Sequence, residues 1–131
     1  MRCTLVTPER ELFSDDVDYL SAPGALGEFG ILPGHAPFIT LLKAGIAHIE
    51  KESKTKRFAL ISGFCEILND NVIILADEAY TEGEVNKEQS RKEWEEARME
   101  LSKLRPDDPK YDEIRKKLDR VKVLVDITEG R

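Results

Sequence analysis

Residues 24–45 read Gly-Ala-Leu-Gly-Glu-Phe-Gly-Ile-Leu-Pro-Gly-His-Ala-Pro-Phe-Ile-Thr-Leu-Leu-Lys-Ala-Gly, a mixture of glycine, proline and apolar residues that no ordinary surface loop concentrates. Its glycines permit positive φ or close backbone approach, while Pro33 and Pro37 fix φ and remove a donor. The stretch therefore predicts shaped, irregular backbone. Leu26, Phe29, Ile31 and Leu32 are too apolar for a solvated linker, so some must bury in the chain's own core or against another protein. A folded corner and a contact surface are the two readings.

Outward from this stretch, both flanks have strand grammar. On the N-terminal side lie Cys3-Thr4-Leu5-Val6-Thr7, a turn at Pro8-Glu9-Arg10, Leu12-Phe13, and Val17-Asp18-Tyr19-Leu20. On the C-terminal side lie Ile46-Ala47-His48-Ile49-Glu50, a charged turn over 51–56, Phe58-Ala59-Leu60-Ile61 and Phe64-Cys65-Glu66-Ile67-Leu68. Asn69-Asp70-Asn71 is a tight-turn signal, and Val72-Ile73-Ile74-Leu75 follows it as a buried strand. Short strands punctuated at this spacing predict a sandwich or barrel.

At Thr81-Glu82-Gly83-Glu84 the grammar changes to Glu, Lys, Arg and Ala, which predicts an all-β domain over 1–83 and a helical segment over 84–131. Trp94, Ala97, Leu101 and Leu104 recur at three, four and three, on one stripe of a helix. Asp108 reads as an N-cap with Pro109 at the first helical position, followed by Tyr111, Ile114, Leu118, Val121 and Val125 on a second stripe. The short connection makes the pair an antiparallel hairpin. Two such helices bury little apolar area between them, so the hairpin is marginal without help from the β-domain. That makes it a candidate moving part.

Composition narrows the partners. A net charge of −6 and pI near 5.0 argue against nucleic acid, because phosphate recognition wants a basic face. The longest purely apolar run, Val72 to Ala76, is far shorter than the roughly 18 residues of a membrane helix, so any membrane association runs through a partner. Cys3 and Cys65 have neither metal-ligand spacing nor a secretory segment before them, which predicts reduced, buried thiols on the cytosolic side. Proteins are the expected partners.

No active site is legible. Neither His35 nor His48 has a second ligand at metal spacing. His48 reads as a surface or half-buried strand residue, and His35 as either a structural donor or a partner contact. Gly24, Gly27 and Gly30 do not give G-x-G-x-x-G, and no Gly-Lys-Ser/Thr follows. Asp15, Asp16 and Asp18 read as a solvated turn, since no histidine, lysine or nucleophile accompanies them.

Thr7-Pro8-Glu9-Arg10, the run Val17 to Pro23, and above all Gly27-Glu28-Phe29-Gly30-Ile31-Leu32-Pro33-Gly34-His35-Ala36-Pro37 resemble the epsilon subunits of F-type ATP synthases, a likeness that covers nearly the whole chain. The resemblance implies an N-terminal β-sandwich and two C-terminal helices in a non-catalytic rotor subunit of the central stalk. Such a subunit joins gamma to the c-ring for proton-driven ATP synthesis. It implies a peripheral place on the cytoplasmic side of the bacterial inner membrane, reached only through the complex. By the same resemblance Glu28, Phe29, Ile31 and His35 make the c-ring and gamma contact, with Glu28 as a charge partner.

The helices of that family can also extend along gamma and inhibit ATP hydrolysis at the alpha and beta subunits. Arg115, Lys116, Arg120 and Lys122 resemble the basic residues that then meet acidic beta-subunit segments. Some bacterial members bind ATP through Ile/Leu-Asp-x-x-Arg-Ala at the start of the first helix. The matching run here is Val85-Asn86-Lys87-Glu88-Gln89-Ser90, where Asn86 and Gln89 replace the motif's Asp and Arg. That loss of a carboxylate and a guanidinium implies weak or absent ATP binding, and Asn86 with Gln89 suits a capping box instead. The alternative function is a nucleotide-sensing module whose hairpin closes on ATP.

Overall fold

In a computed structural model that describes residues 1–130, eight strands are followed by two helices. The strands are β1 (Arg2–Val6), β2 (Glu11–Asp16), β3 (Tyr19–Gly24), β4 (Gly27–Ile31), β5 (Phe38–Leu42), β6 (Gly45–Lys51), β7 (Lys54–Leu68) and β8 (Asn71–Thr81). A single 3-10 turn, Glu82–Glu84, leads to α1 (Lys87–Ser102) and α2 (Tyr111–Thr128). This is the α+β arrangement expected, an N-terminal β-sandwich with a C-terminal helical hairpin.

Two long bent strands make the sandwich. The first half of β7 pairs with β6, and β6 with β3, whereas its second half pairs with β5. β8 follows β7 antiparallel from Leu68↔Asn71 to Phe58↔Thr81, and β1 joins β8 in parallel. One layer is thus β4-β3-β6 with the start of β7 and end of β8. The other is β5, the end of β7, the start of β8, β1 and β2. Leu5, Leu20, Ile31, Ile49, Leu60, Ile67, Val72 and Ile74 fill the space between them and are almost wholly buried. Cys3 and Cys65 lie in this core as free thiols, and burial pushes both up to about 12.

The bend in β7 falls at Ser62–Gly63, with φ of 58° and 136°. Sequence grammar reads two strands divided at Ser-Gly, but β7 is one strand of 15 residues. Its inward face changes parity at the bend. Phe58 and Leu60 point into the sandwich before it, Cys65 and Ile67 after it. The outward side chains are therefore Ala59 and Ile61 on one half, and Phe64, Glu66 and Leu68 on the other.

The glycine-rich stretch is more regular than expected. Gly24 pairs with Gly27 across a two-residue turn, and β4 and β5 occupy much of 24–45. Apart from two-residue breaks at 25–26 and 43–44, irregular backbone falls at 32–37, where Pro33, Pro37 and Gly34, at φ 83°, do not suit a ladder while the alternating residues on either side do. The Asn69–Asp70 turn has positive φ at both residues, the primed hairpin geometry its residues favour. Val72–Leu75 corrects a simpler expectation: Val72 and Ile74 are buried, but Ile73 and Leu75 are exposed at 41% and 49%.

The helices keep most of their predicted stripes, with Ala97, Ile114, Val121 and Val125 buried, but α1 ends at Ser102 and Leu104 falls beyond it. What periodicity missed is a second buried face on α2. Val123, Leu124 and Ile127 lie on Ala59 and Ile61 of β7, flanked by Ala44, Ile46, Tyr80 and Val85. Each fully buried aliphatic side chain of this kind contributes about 1.5–3 kcal/mol, so the hairpin gains from the sandwich what its own seam does not supply. α2 also begins later than expected. Asp108 accepts from the Lys110 amide through its carboxylate at 2.8 Å and from the Tyr111 amide through its carbonyl at 3.0 Å, so Pro109 and Lys110 form a turn and regular helix starts at Tyr111.

Candidate functional site

The loop 32–37 is fastened at its base. The Gly34 amide donates to Asp70 Oδ1 at 2.8 Å, and the His35 amide to the Leu32 carbonyl at 3.2 Å, so the loop is tied to the β7–β8 turn. His35 is exposed; its Nδ1 lies 2.7 Å from the Ala36 carbonyl oxygen and its ring 5.7 Å from that of Phe38. Phe38 also meets Phe29 edge-on at 5.7 Å. Phe29 and His35 therefore share one aromatic group with Phe38. Glu28 is exposed nearby on β4.

Ile31 does not belong with them. Its side chain is fully buried in the sandwich core, opposite Leu20; Phe29, two residues earlier on the same side of β4, packs against the edge of that core and is only half-buried. The surface role that the resemblance implies for Ile31 is corrected on this ground. The apolar side chains this region does present are Leu32, exposed at 62%, and Leu26, wholly exposed at the tip of the β3–β4 turn.

The loop runs on into a broad apolar face. Leu41, Phe64 and Leu75 stand in one row across β5, β7 and β8, and Ile39, Glu66 and Ile73 in the next. All five apolar members are exposed, Ile39 at 67%. Leu68 extends the patch toward the Asp70 turn. A contiguous apolar surface on three adjacent strands is what a protein interface requires and what a free monomer avoids. Sequence reasoning missed this face. The available signal was that Phe64-Cys65-Glu66-Ile67-Leu68 and Val72-Ile73-Ile74-Leu75 carry large apolar residues at both parities, so both sides of the sheet are apolar and only one can be the core.

The basic residues of α2 divide by environment. Arg120 is held by Glu78 of β8, with Nε 2.9 Å from Oε2 and Nη2 2.7 Å from Oε1. The Tyr80 hydroxyl donates to the same Oε1 at 2.7 Å. Hydrogen bonding to Arg120 holds the Glu78 carboxyl below its ordinary value of 4.5, and hydrogen bonding to Glu78 pushes the Tyr80 phenol and the Arg120 guanidinium up. Lys122 lies 3.1 Å from Asp126, four residues on. Arg115 and Lys116 are exposed, and Lys116 lines a shallow recess with Lys43, Lys117 and Arg120.

Asn86 and Gln89 both serve the start of α1. Asn86 Oδ1 accepts from the Gln89 amide at 2.9 Å, the expected N-cap. The Gln89 side chain does not return to Asn86 as a capping box would; its Nε2 donates to Glu93 at 2.9 Å, one turn further along. The preceding turn is closed by a glutamate instead: the Thr81 amide and hydroxyl both donate to Glu84 Oε1 at 2.9 Å. Between the helices, Arg91, Trp94, Lys122 and Val125 line a cleft of about 460 Å³, in which Arg91 pairs with Glu129.

The aspartates read as a solvated turn have structural work. Asp15 pairs with Lys51 at 2.8 Å, and Asp18 Oδ2 accepts from the Glu52 amide at 2.8 Å, so together they hold the β6–β7 turn. His48 is half-buried in β6, with Nδ1 3.4 Å from Ser21 Oγ. Among the described residues no group of three or more His, Cys, Asp or Glu could hold a metal ion, and no helix is long and apolar enough to cross a membrane.

Residues 1–82 match the family described as the ATP synthase, Delta/Epsilon chain, beta-sandwich domain. The chain is 37% identical to the ATP synthase epsilon chain of Geobacter sp. (strain M21) over 127 residues, 97% of this chain and 92% of that one. With the ATP synthase epsilon chain of Carboxydothermus hydrogenoformans it shares 41% identity over 106 residues, 81% of this chain and 79% of the relative. Among solved structures it resembles a chain of the Euglena gracilis mitochondrial ATP synthase, in an assembly of OSCP, F1 and c-ring. The TM-score is 0.81 at 26% identity, covering 93% of this chain and 77% of the other. A chain of the Tetrahymena thermophila mitochondrial ATP synthase central stalk and c-ring shares the fold at TM-score 0.70 and 17% identity, covering 97% and 95% of the two chains.

Proposed function

The chain belongs to the epsilon-chain family of the ATP synthases, and on that premise we propose that it is a non-catalytic rotor subunit that links gamma to the c-ring. The observation that carries this reading is the bare apolar face of Ile39, Leu41, Phe64, Ile73 and Leu75, continuous with the Leu32–Pro37 loop. A flat apolar face suits burial against the side of gamma. The loop with Glu28, Phe29 and His35 offers a charge and two rings to the polar rim of the c-ring. The subunit then sits on the cytoplasmic side of the bacterial inner membrane and touches the bilayer only through the complex.

Residues 84–131 act in this reading as a regulatory hairpin. When it leaves the sandwich, α2 presents Arg115, Lys116, Arg120 and Lys122 to acidic segments of the beta subunit within the alpha-beta ring, and ATP hydrolysis slows. Basic side chains steer such an encounter at a rate that falls as salt rises. Purified chain mixed with its gamma subunit is expected to elute as a one-to-one complex in size-exclusion chromatography. A chain ending at Gly83 is expected to keep that complex but relieve inhibition of ATP hydrolysis. Failure to bind gamma would refute the rotor role; unchanged hydrolysis would refute the inhibitory one.

The second reading, a nucleotide sensor, rests on the cleft between the helices. Its cations already face carboxylates, Arg91 with Glu129 and Lys122 with Asp126, and Asn86 and Gln89 are engaged in the helix start. Such a site must break internal ion pairs to take a triphosphate, which favours coupling over sensing. Calorimetry with ATP on the full chain is expected to show no binding in the micromolar range; micromolar affinity would reverse the order of the two readings.

A further inference from the structure

We propose that Glu78 is the latch of the helical hairpin: its carboxylate keeps α2 docked on the sandwich by holding Arg120, and so withholds that guanidinium from acidic partners. The second half of this statement rests on the regulatory reading above.

The latch sits where it controls the docked state. Glu78 lies on β8 opposite Ile61, and Tyr80, two residues on, lies opposite Ala59. Ala59 and Ile61 are the β7 side chains on which Val123, Leu124 and Ile127 rest. Glu78, Tyr80 and Arg120 thus stand at the edge of the apolar contact that carries the hairpin. That contact is small beside the sandwich core, so one strong polar interaction at its margin moves the balance between docked and released hairpin. Bidentate, charge-assisted geometry is the strong form of such an interaction.

Among the described residues, the other polar link between the sandwich and α2 is weaker: Arg57 Nη2 reaches the Asp126 carbonyl only at 3.4 Å. The Nε of Arg57 is buried without a hydrogen-bond partner among the described residues. Arg10 pairs with Glu84 at 2.5 Å, but in the 3-10 turn ahead of both helices, where it fastens the connection and not α2. Arg91–Glu129 joins the two helices to each other and leaves with them. Glu78–Arg120 is instead a side-chain pair between residues 42 positions apart, one on each side of the junction.

The chemistry makes the latch competitive. Arg120 presents its Nε and Nη2 edge to Glu78, and Tyr80 orients the carboxylate by donating to Oε1. A carboxylate from another protein that takes the Nε–Nη2 edge must displace Glu78 from it. Glu78 therefore acts as an internal copy of the partner's acidic group, and the two compete for that edge of Arg120.

The test uses the isolated full-length chain and reads hydrogen exchange of the α2 amides over 121–127. Glu78→Gln keeps the shape and removes the charge; it is expected to speed exchange there about tenfold, as loss of a charge-assisted pair predicts, while core amides of β7 and β8 stay protected. The double variant Glu78→Arg with Arg120→Glu is expected to restore slow exchange. Equal exchange in Glu78→Gln and the unmodified chain, or a double variant no slower than Glu78→Gln, would overturn the latch. Because no catalytic ring is present, this outcome is separate from the regulatory reading. Faster exchange together with unchanged inhibition of hydrolysis in the reassembled complex would sink that reading and the competition for Arg120, and leave the docking role standing.

Discussion

Gly63→Ala is expected to be the most destabilising conservative change in the chain. Gly63 has φ of 136°, a region costly for any residue with a Cβ. An added Cβ would overlap the Leu75 carbonyl oxygen and lie 2.8 Å from the Ala76 Cα, both parts of the neighbouring backbone. Backbone cannot swing aside as a long side chain can. Relief requires opening the β7–β8 ladder at Gly63↔Ala76 or straightening β7, and straightening turns either Phe58 and Leu60 or Cys65 and Ile67 out of the core. A loss of about 4 kcal/mol follows from strain and overlap together, a large part of the roughly 5–15 kcal/mol a domain possesses. Thermal unfolding followed by circular dichroism should show Tm lowered by more than about 10 °C. Gly34→Ala is the control: it also has positive φ, 83°, but its added Cβ meets nothing within 4 Å, and it should cost only about 1 kcal/mol. Equal Tm values for the two variants would refute the account of the bend.

Phe64→Asp is expected to leave the fold intact and abolish most of the affinity for gamma. Phe64 is exposed at 49% between Leu41 and Leu75, so the substitution removes no core contact and should change folding stability by less than about 1 kcal/mol. At an interface the same change removes a central aromatic anchor and buries an unpaired carboxylate. Central aromatic positions cost at least about 2 kcal/mol on truncation, and an unpaired buried charge adds to that, so the dissociation constant should rise at least about 100-fold. Titration of labelled chain with gamma measures it. Unchanged affinity would place the gamma contact elsewhere on the sandwich.

The residues differ in how far they could be read in advance. Asn86, the Asn69–Asp70 turn and the stripe of Ala97, Ile114, Val121 and Val125 were legible because each rests on local rules: a cap, a primed turn, a helical period. Ile31 was misplaced because its neighbours are glycine and leucine on either side, and which face of β4 looks inward depends on its pairing with Leu20. Glu78 was invisible for a like reason. A glutamate between Asp77 and Ala79 carries no local signal, and its meaning comes from Arg120, 42 residues away. Leu41, Phe64 and Leu75 lie far apart in the chain and become a surface only when three strands pair.

The sequence by itself determined the family, the order of sandwich and hairpin, and the helical stripes, because residue order, turn chemistry and periodicity act over a few residues at a time. The narrow apolar seam between the helices was legible in the same way, from the spacing of Ala97, Ile114, Val121 and Val125. Only the tertiary structure decided that β7 bends at Gly63, that its two halves turn their outer faces to different neighbours, and that one face is covered by Val123, Leu124 and Ile127 while the other is bare. The reason is geometric. A strand's faces are identical until something packs on one of them, and here the packing elements come from segments distant in the chain. The loop at 32–37 shows both halves of this division: its prolines and Gly34 declared that it leaves the ladder, and Asp70, from another turn, settled where it is held.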